Sequence, residues 1–333
     1  MTAMGCGARS ARVGAMLMSL GVLLFANAAF AQSYPSRPVK LVVPFPGGGP
    51  LDFTARLLAD RLTVAMKQPF VVENRPGASG NLGTEAVARA APDGYTLLFV
   101  LETPLTVSPS LYPKLAFDPS RDFTPIATAA RFSLTLVVHP SVPVNSVADF
   151  VAYAKGRKEQ PLIYGSGGGR GDPGHLTMEY FRMRAGFEGV HVPYKGNSQV
   201  VMNLVAGQIH AGFLATPGVL PHVQDGRLKA LAISSARRAP LAADIPTVAE
   251  SGYPGFEVGF YQVMLAPVGL PEPIRAALER EMHNALQSPD LQARLRGNSL
   301  EPVVRGGAET AIMLKAATEQ WRAVISSAKI QLD

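Results

Sequence analysis

The sequence predicts an α/β protein built from two βαβ systems, each with a mainly parallel sheet covered by helices on both faces. Short strands rich in β-branched residues alternate with segments of helical periodicity, an order typical of parallel sheets. The alternation occurs twice along the 333 residues. Near its start, each system carries a glycine-rich junction between a strand and a helix, and the pair is more informative than either junction alone.

In the first system, strands are predicted at Val39–Pro44, Pro69–Glu73 and Tyr95–Leu101. Helices are predicted at Asp52–Met66, where apolar residues recur on one face, and at Asn81–Ala90. The remaining predicted elements are the strands 134–140, Leu162–Tyr164, Val190–Pro193, His210–Phe213 and Leu228–Ser234, and the helices Val147–Ala154, His175–Arg184, Gln199–Val205, Pro273–Gln287 and Ala308–Ser327.

The N-terminal residues predict export from the cytoplasm. Arg9 and Arg12 precede a short apolar run, and Ala29-Phe30-Ala31 is a small-x-small cleavage site. Residues 1–31 are therefore predicted to be a secretory signal peptide that is cut after Ala31. The alternative is an uncleaved membrane anchor. Cleavage would also remove Cys6, and a mature protein of this size needs no disulfide.

The distribution of charge argues against nucleic acid as a partner. The formal net charge is +6 for the whole chain and falls to +4 once Arg9 and Arg12 leave with the signal peptide. The basic residues are scattered, without a run of five or more and without interleaved exposed aromatics. A mildly basic exported protein suits small acidic ligands.

The two glycine-rich junctions have the chemistry of anion sites. Gly47–Gly49 precede Asp52, and Gly165–Gly171 precede Asp172 and Pro173. A helix N-terminus presents unpaired N–H groups and a positive dipole end, and glycine lets the backbone approach a ligand. We therefore predict two anion-binding loops with Asp52 and Asp172 as N-caps. The alternative is two tight turns that are merely capped by aspartate.

Neither loop matches a nucleotide-binding motif, because the first lacks the Lys-Ser/Thr pair of a P-loop and the second does not follow G-x-G-x-x-G. Ser166 with His175 as its base is the alternative of an exported serine hydrolase, although Tyr164 stands where a nucleophile elbow needs glycine. His175 is more often a capping or packing group. The histidine spacing suggests no metal site, and no cofactor is predicted.

Several segments of the chain resemble the Bug family, also called the TctC family, the periplasmic solute-binding receptors of tripartite tricarboxylate transport systems. The resemblance covers residues 34–330, and its motifs recur in order along the chain. They are YPSRPVKLVVPFPGGGPLDFTARLLADRL, VVENRPGASGNLGTEAVARAAPDGYTLLF, SPSLYPKLAFDPSRDFTPIA, HVPYKG and GRLKALAISSARRAPLAADIPTVAESGYPGFE.

The resemblance implies a two-lobed periplasmic binding protein, type II-like, that closes on a small carboxylate without catalysis. Lobe 1 would comprise residues 32–137 and 236–333, and lobe 2 would comprise residues 138–235. The implied partners are a small carboxylate and the membrane permease subunits of the transporter. The protein is expected to be a monomer in the periplasm. The alternative is that the loaded receptor reports to a sensor kinase.

The resemblance also implies where the ligand binds. In that family the carboxylate head lies between the loop after the first strand and the glycine-rich loop of the second lobe, held largely by backbone amides and bridging waters. Carried over to this chain, the first clamp comprises Phe45, Pro46, Gly47, Gly48, Gly49 and Asp52, and the second clamp comprises Tyr164, Gly165, Ser166, Gly168, Gly169 and His175.

The chain departs from the family pattern at positions that bear on specificity. The second loop, YGSGGGRGDPGHL, is one residue longer and carries Arg170, which either forks onto a second carboxylate or is solvated. Glu102 either binds a ligand amine or hydroxyl or is a surface acid. Tyr261, in place of a tryptophan, lines the cleft or packs in the core. Asn197 contacts the ligand or caps a helix, and His210 replaces an aspartate.

Overall fold

The computed structural model describes residues 34–331, and the predicted signal peptide lies outside the described residues. In chain order the strands are β1 (Val39–Val43), β2 (Phe70–Asn74), β3 (Thr96–Leu101), β4 (Phe123–Phe132), β5 (Leu134–Val138), β6 (Leu162–Ser166), β7 (Gly189–Pro193), β8 (Ala211–Ala215), β9 (Lys229–Ile233), β10 (Phe260–Pro267) and β11 (Glu301–Gly306). The helices are α1 (Pro50–Met66), α2 (Asn81–Ala88), α3 (Thr103–Thr106), α4 (Ser108–Leu111), α5 (Val147–Gly156), α6 (Pro173–Ala185), α7 (Asn197–Val205), α8 (Thr216–Gln224), α9 (Glu272–Gln287), α10 (Pro289–Gly297) and α11 (Gly307–Ser327).

The strands form two sheets, and each sheet is the centre of one lobe. Lobe 1 has six strands in the order β11-β4-β10-β3-β1-β2, and lobe 2 has five in the order β7-β6-β8-β5-β9. β1 runs parallel to both of its neighbours, and so does β6. Each predicted glycine-rich junction therefore leaves a strand with parallel neighbours on both sides, which puts it at the carboxyl edge of its sheet.

The predicted α/β architecture with two sheets is confirmed, and the structure adds that both sheets are mixed. β10 is antiparallel to β3 and β4, and β11 is antiparallel to β4. β5 is antiparallel to β8 and β9. The reason lies in the chain path, since β5 and β10 are the strands by which the chain enters each lobe from the other. A strand that enters at the carboxyl edge must run opposite to those that end there.

The chain crosses between the lobes twice, and Ser234 ties the two crossings together. Ser133 alone separates β4 from β5, and the second crossing begins after β9. The Leu134 amide donates to Ser234 Oγ at 2.9 Å, and Ser234 Oγ donates to the Val258 carbonyl at 2.8 Å. The predicted lobe boundary after residue 137 falls inside β5, which pairs within lobe 2, so the sheet changes earlier, at Ser133.

All the strands and helices predicted above are present, with ends within two residues of the prediction. Seven elements were not predicted, namely β4, β10, β11, α3, α4, α8 and α10. Within residues 34–331, no helix combines the length and the apolar character that a membrane span requires.

Candidate ligand-binding site

The first clamp begins where β1 ends, and Asp52 holds its shape. The prediction that Asp52 is the N-cap of α1 is wrong, because Gly49 occupies that position. The Asp52 carboxylate instead reaches back and accepts a hydrogen bond from the Gly48 amide at 2.9 Å. It also accepts from Arg56 and from Asn74, each at 3.0 Å. Burial raises the pKa of Asp52, but these hydrogen bonds together lower it below its ordinary value, so the carboxylate is ionised.

The second clamp repeats this arrangement at the end of β6. Asp172 is the N-cap of α6, as predicted, and accepts a hydrogen bond from the His175 amide at 2.7 Å. Asp172 lies four residues after Gly168, the spacing that also separates Gly48 from Asp52, and a Cβ on Gly168 would lie 2.8 Å from the Asp172 Cβ. Burial raises the pKa of Asp172 to about 6, and hydrogen bonds from backbone amides, chiefly that of His175, oppose the rise.

The two clamps belong to different lobes and meet through the turn at residues 78–80. Ser79 Oγ donates to the Gly168 carbonyl at 3.3 Å, which joins lobe 1 to the second clamp. The next residue lies against the first clamp, since a Cβ on Gly80 would be 2.9 Å from the Phe45 ring. The carboxyl edges of the two sheets therefore face each other, with a glycine-rich loop on each side.

A buried layer of side chains lies behind the second clamp. Ser166 Oγ and His191 Nε2 are hydrogen-bonded at 2.8 Å, and the His191 ring stacks on His175 at a centroid distance of 4.0 Å. His175 Nδ1 accepts a hydrogen bond from the Gly171 amide at 3.0 Å. Burial lowers the pKa of His175 to about 4 and that of His191 to about 3, so both rings are neutral at pH 7. The stacked rings thus fix the loop without adding charge to it.

Three residues of the second clamp, namely Tyr164, Gly165 and Ser166, lie within β6 rather than in the loop. Tyr164 is fully buried, and its hydroxyl is hydrogen-bonded to Glu179, which also binds Arg182. Gly165 is enclosed by lobe 2, since a Cβ there would lie 2.9 Å from a methyl group of Val200. Tyr164 and Gly165 support the loop from inside the sheet.

The geometry around Ser166 does not favour a serine hydrolase. Ser166 is fully buried, and its partner is His191 rather than the predicted His175. A nucleophilic serine requires a base that a third group orients. His191 Nδ1, the atom that such a group would bind, has no hydrogen-bond partner among residues 34–331.

Glu102 and Tyr261 line a different cavity of about 360 Å³, together with Arg131, Glu257 and Trp321. None of the residues that line this cavity belongs to either glycine-rich loop. Glu102 is 1% exposed, so the alternative of a surface acid is wrong. Burial raises its pKa to about 8, which Trp321 partly offsets by a hydrogen bond to the carboxyl group.

Tyr261 packs in the core, which is one of its two predicted environments, and the cavity that it also lines is separate from the predicted ligand cleft. Its side chain packs against the core cluster of lobe 1 and also reaches the cavity that Glu102 lines. The guanidinium groups of Arg131 and Arg305 lie over its ring, at 5.6 Å and 5.4 Å from the centroid. These two cations hold the ring in place.

Arg170 and Asn197 border the second clamp. Arg170 is half-buried, and its Nη1 donates to the Gln331 carbonyl at 3.2 Å. Asn197 is the exposed first residue of α7, and Gly196 is the N-cap, so the capping alternative for Asn197 is wrong. Gly167 packs against Asn197, since a Cβ there would lie 2.8 Å from the Asn197 Cα.

The remaining clamp residues are open to the cleft side of the loops. Pro46 and Gly47 are exposed. Gly48 and Gly169 adopt φ values of +83° and +87°, and a Cβ on either would meet no atom within 4 Å. Glycine is therefore required at these two positions by the backbone conformation and not by a lack of space.

Three polar residues at this site were not predicted from the sequence, and all three lie in the segment NRPGASGN, residues 74–81. Asn74 Nδ2 donates to the Phe45 carbonyl at 3.1 Å as well as to Asp52. Ser79 forms the contact with lobe 2. Asn81, the first residue of α2, is buried. Their position at and after the end of β2 could have indicated a role at this site, because β2 runs parallel to β1 and ends at the same edge of the sheet.

Comparisons with known proteins agree with this architecture. The family model for the tripartite tricarboxylate transporter family receptor matches residues 54–330. Protein BugT of Bordetella pertussis is 34% identical over 314 residues, which cover 94% of this chain and 95% of that protein. A UPF0065 protein from the tcbD-tcbE intergenic region of Pseudomonas sp. (strain P51) is also 34% identical, over 88% of this chain and 87% of that protein.

Solved structures with bound carboxylates are similar to this chain throughout. R. palustris Rpa4515 with adipate is 35% identical with a TM-score of 0.82, over 90% of this chain and all of that one. MatC from Rhodopseudomonas palustris with bound malate is 31% identical with a TM-score of 0.78, over 88% of this chain and all of that one. The periplasmic binding protein BugD aligns with a TM-score of 0.80 at 31% identity. The chain therefore belongs to the tripartite tricarboxylate transporter receptor family, the Bug or TctC family of solute-binding proteins.

Proposed function

We propose that this protein is a periplasmic receptor that captures a small carboxylate between its lobes and delivers it to the membrane permease of a tripartite tricarboxylate transporter. The observation that carries the proposal is the meeting of the two clamps through Ser79 and Gly168. Adipate and malate are bound by two solved relatives, which supports a carboxylate as the ligand.

Backbone amides are the proposed donors to the ligand carboxylate. Asp52 occupies the Gly48 amide, and the loop of the second clamp surrounds Asp172 in the same way. The amides of Gly47, Gly49 and Gly169 take no part in the hydrogen bonds described above, and we assign them to the ligand. Each charge-assisted hydrogen bond contributes about 1.5–3 kcal/mol. Three such bonds, with the dipoles of α1 and α6, reach the roughly 8 kcal/mol of micromolar binding.

Titration calorimetry against a panel of mono-, di- and tricarboxylates and a neutral sugar tests this function. We expect one saturable carboxylate ligand and no heat from the sugar. Mass spectrometry of the ligand released from protein purified without dialysis should identify the same acid. A protein that binds the sugar and no acid is not a carboxylate receptor.

The periplasmic location has its own test. Cell fractionation should recover the mature protein with the periplasmic contents, and N-terminal sequencing should begin at Gln32, after the predicted cleavage site. Recovery of the full-length chain in the membrane fraction would instead identify an uncleaved anchor.

A role in transport and a role in sensing predict different phenotypes when the receptor gene is deleted. Deletion of its gene should abolish uptake of the radiolabelled acid while the permease genes remain intact. If uptake persists but the transcriptional response to the acid disappears, the receptor serves a sensor kinase instead of the permease.

A further inference from the structure

The side chain of Asn81 is a buried amide that has no partner within the described part of the chain. It is 7% exposed, and neither Oδ1 nor Nδ2 has a hydrogen-bond partner among residues 34–331. A buried polar group without a partner is costly, and such groups in native proteins are few. Both ends of the amide lack a partner, whichever of the two atoms is the oxygen.

The helical pattern of α2 directs Asn81 toward the carboxyl edge of the lobe 1 sheet. Thr84 and Val87 follow it at spacings of three residues and share its buried face. Val87 belongs to a core cluster with Val42 of β1 and Leu98 of β3. Asn81 is six residues, or nearly two turns, closer to the N-terminus than Val87, so it lies over the ends of β1 and β3, where the first clamp begins.

The neighbours of Asn81 in sequence contact both clamps. A Cβ on Gly83 would lie 3.0 Å from the Cα of Pro44, at the start of the first clamp loop. Gly80 lies against the Phe45 ring, and Ser79 donates to Gly168 of the second clamp. The unpartnered amide is therefore bracketed by the surfaces that would enclose a ligand.

We propose that Asn81 binds the ligand directly and that this ligand is a carboxylate bearing a hydrogen-bond donor, a hydroxyl or an amine, close to the carboxylate. The proposal rests on the proposed function. Nδ2 can donate to a carboxylate oxygen, but Oδ1 can only accept. An unsubstituted carboxylate offers only acceptors and leaves Oδ1 without a partner, whereas a nearby hydroxyl or amine satisfies it. A site built to bind a substrate donor discriminates strongly against the analogue that lacks it.

Calorimetric titration with acids that differ only by the donor tests this inference. The hydroxyl pairs are lactate and propionate, malate and succinate, and citrate and tricarballylate. The amine pairs are alanine and propionate, and aspartate and succinate. Within whichever pair the wild-type protein binds, it should bind the acid that carries the donor at least tenfold more tightly than the acid that lacks it. Comparison of the hydroxyl pairs with the amine pairs identifies which donor Asn81 binds.

Asn81→Ala should reduce this ratio to less than threefold. The ratio of two affinities measured on one protein is insensitive to the fraction that is folded, so a loss of stability does not mimic the effect. Asn284→Ala, at an exposed asparagine of α9, is the matched control and should keep the wild-type ratio.

Two results would overturn the inference while leaving the proposed function intact. One is a wild-type protein that binds the unsubstituted acid as tightly as its donor-bearing partner. The other is an Asn81→Ala variant with an unchanged ratio, which would assign the amide to ordered water. If the wild-type protein binds no acid of either kind, the proposed function fails and the inference fails with it.

Discussion

Three carboxylate side chains, those of Asp52, Glu102 and Asp172, have shifted pKa values because their environments differ. All three of these carboxylates are buried, but only Asp52 is paired with an arginine, Arg56, and carries a lowered pKa. The pKa values of Asp172 and Glu102 are raised, to about 6 and about 8. All three residues were selected as candidates from the sequence, but these environments were not predicted from it. Burial depends on which distant segment covers a residue, and Trp321, which covers Glu102, lies in the last helix.

Replacement of Glu102 by glutamine should stabilise the protein increasingly as the pH rises. The pKa of Glu102 is raised from 4.5 to about 8, so between these values the unfolded chain releases a proton that the native protein keeps. The wild-type free energy of unfolding therefore falls with pH in this window by about 1.4 kcal/mol per unit. Glu102→Gln removes this loss and keeps an oxygen that can accept from Trp321.

Urea unfolding of wild-type and Glu102→Gln protein between pH 5 and pH 9 measures the effect. Glu257→Gln is the control, because the Glu257 side chain lines the same cavity but is 49% exposed. A stability difference that stays constant over this range would mean that Glu102 is ionised throughout.

Ligand binding should weaken as the pH rises through the pKa of Asp172. Burial raises this pKa to about 6, so the carboxyl group loses its proton between pH 5.5 and pH 8. A bound carboxylate beside the loop favours the neutral form, and the affinity should therefore fall as Asp172 ionises. In Asp172→Asn the affinity should be nearly independent of pH over the same range.

Calorimetry at pH 5.5, 6.5 and 8 distinguishes these outcomes. Asp52→Asn serves as the control for the slope, because the pKa of Asp52 lies below this range in the wild-type protein. An Asp172→Asn variant with the wild-type slope would assign the pH dependence to another group.

At the scale of elements, the sequence predicted those whose pattern is regular and missed three in which a proline lies inside the element rather than at its end. Proline normally argues against a central strand or the interior of a helix. β4 includes Pro125, β11 includes Pro302 and α8 includes Pro221, and none of these elements was predicted. β4 accommodates the disruption with irregular pairing to both of its neighbours. Long-range pairing of this kind leaves no periodic signal in the local sequence.

Glycine at position 171 should be needed for the lobes to approach each other. Gly171 has a φ of +81°, so alanine there would carry backbone strain of about 1–2 kcal/mol. Its Cβ would also clash with the Leu111 side chain of lobe 1. Gly171→Ala should reduce ligand affinity by at least tenfold. Combining it with Leu111→Ala, which removes the obstructing methyl groups, should restore part of the lost affinity.

Titration calorimetry on the single and double variants measures this recovery. Gly226→Ala separates strain from contact, because Gly226 lies outside both clamps and has a positive φ of +69° but no atom within 4 Å of the added Cβ. If the double variant binds as weakly as Gly171→Ala, the contact with Leu111 does not limit closure.

At the scale of the whole molecule, Ser234 joins the two crossings between the lobes, and we predict that these crossings act as one hinge. Ser234 is fully buried, and its hydroxyl is bonded to both the Leu134 amide and the Val258 carbonyl. Ser234→Ala leaves both backbone groups without this partner and should lower the free energy of unfolding by about 1–3 kcal/mol.

Urea unfolding measures the loss in stability, and small-angle scattering of the ligand-free protein should show a larger radius of gyration. Ser235→Ala is the matched control, because the adjacent hydroxyl bonds only within its own turn, to Arg237. Equal stability and equal scattering for the two variants would mean that Ser234 does not restrain the hinge.

The position of the only tryptophan has a practical consequence for spectroscopy. Trp321 stacks on Phe260 at 5.4 Å, donates to Glu102, and lies on α11, a helix of lobe 1 that also touches α6 of lobe 2. Its indole therefore senses both the joint between the lobes and the charge on a neighbouring acid. Tryptophan emission from Trp321 alone should follow ligand-driven motion in stopped-flow experiments on the native chain, without an attached dye.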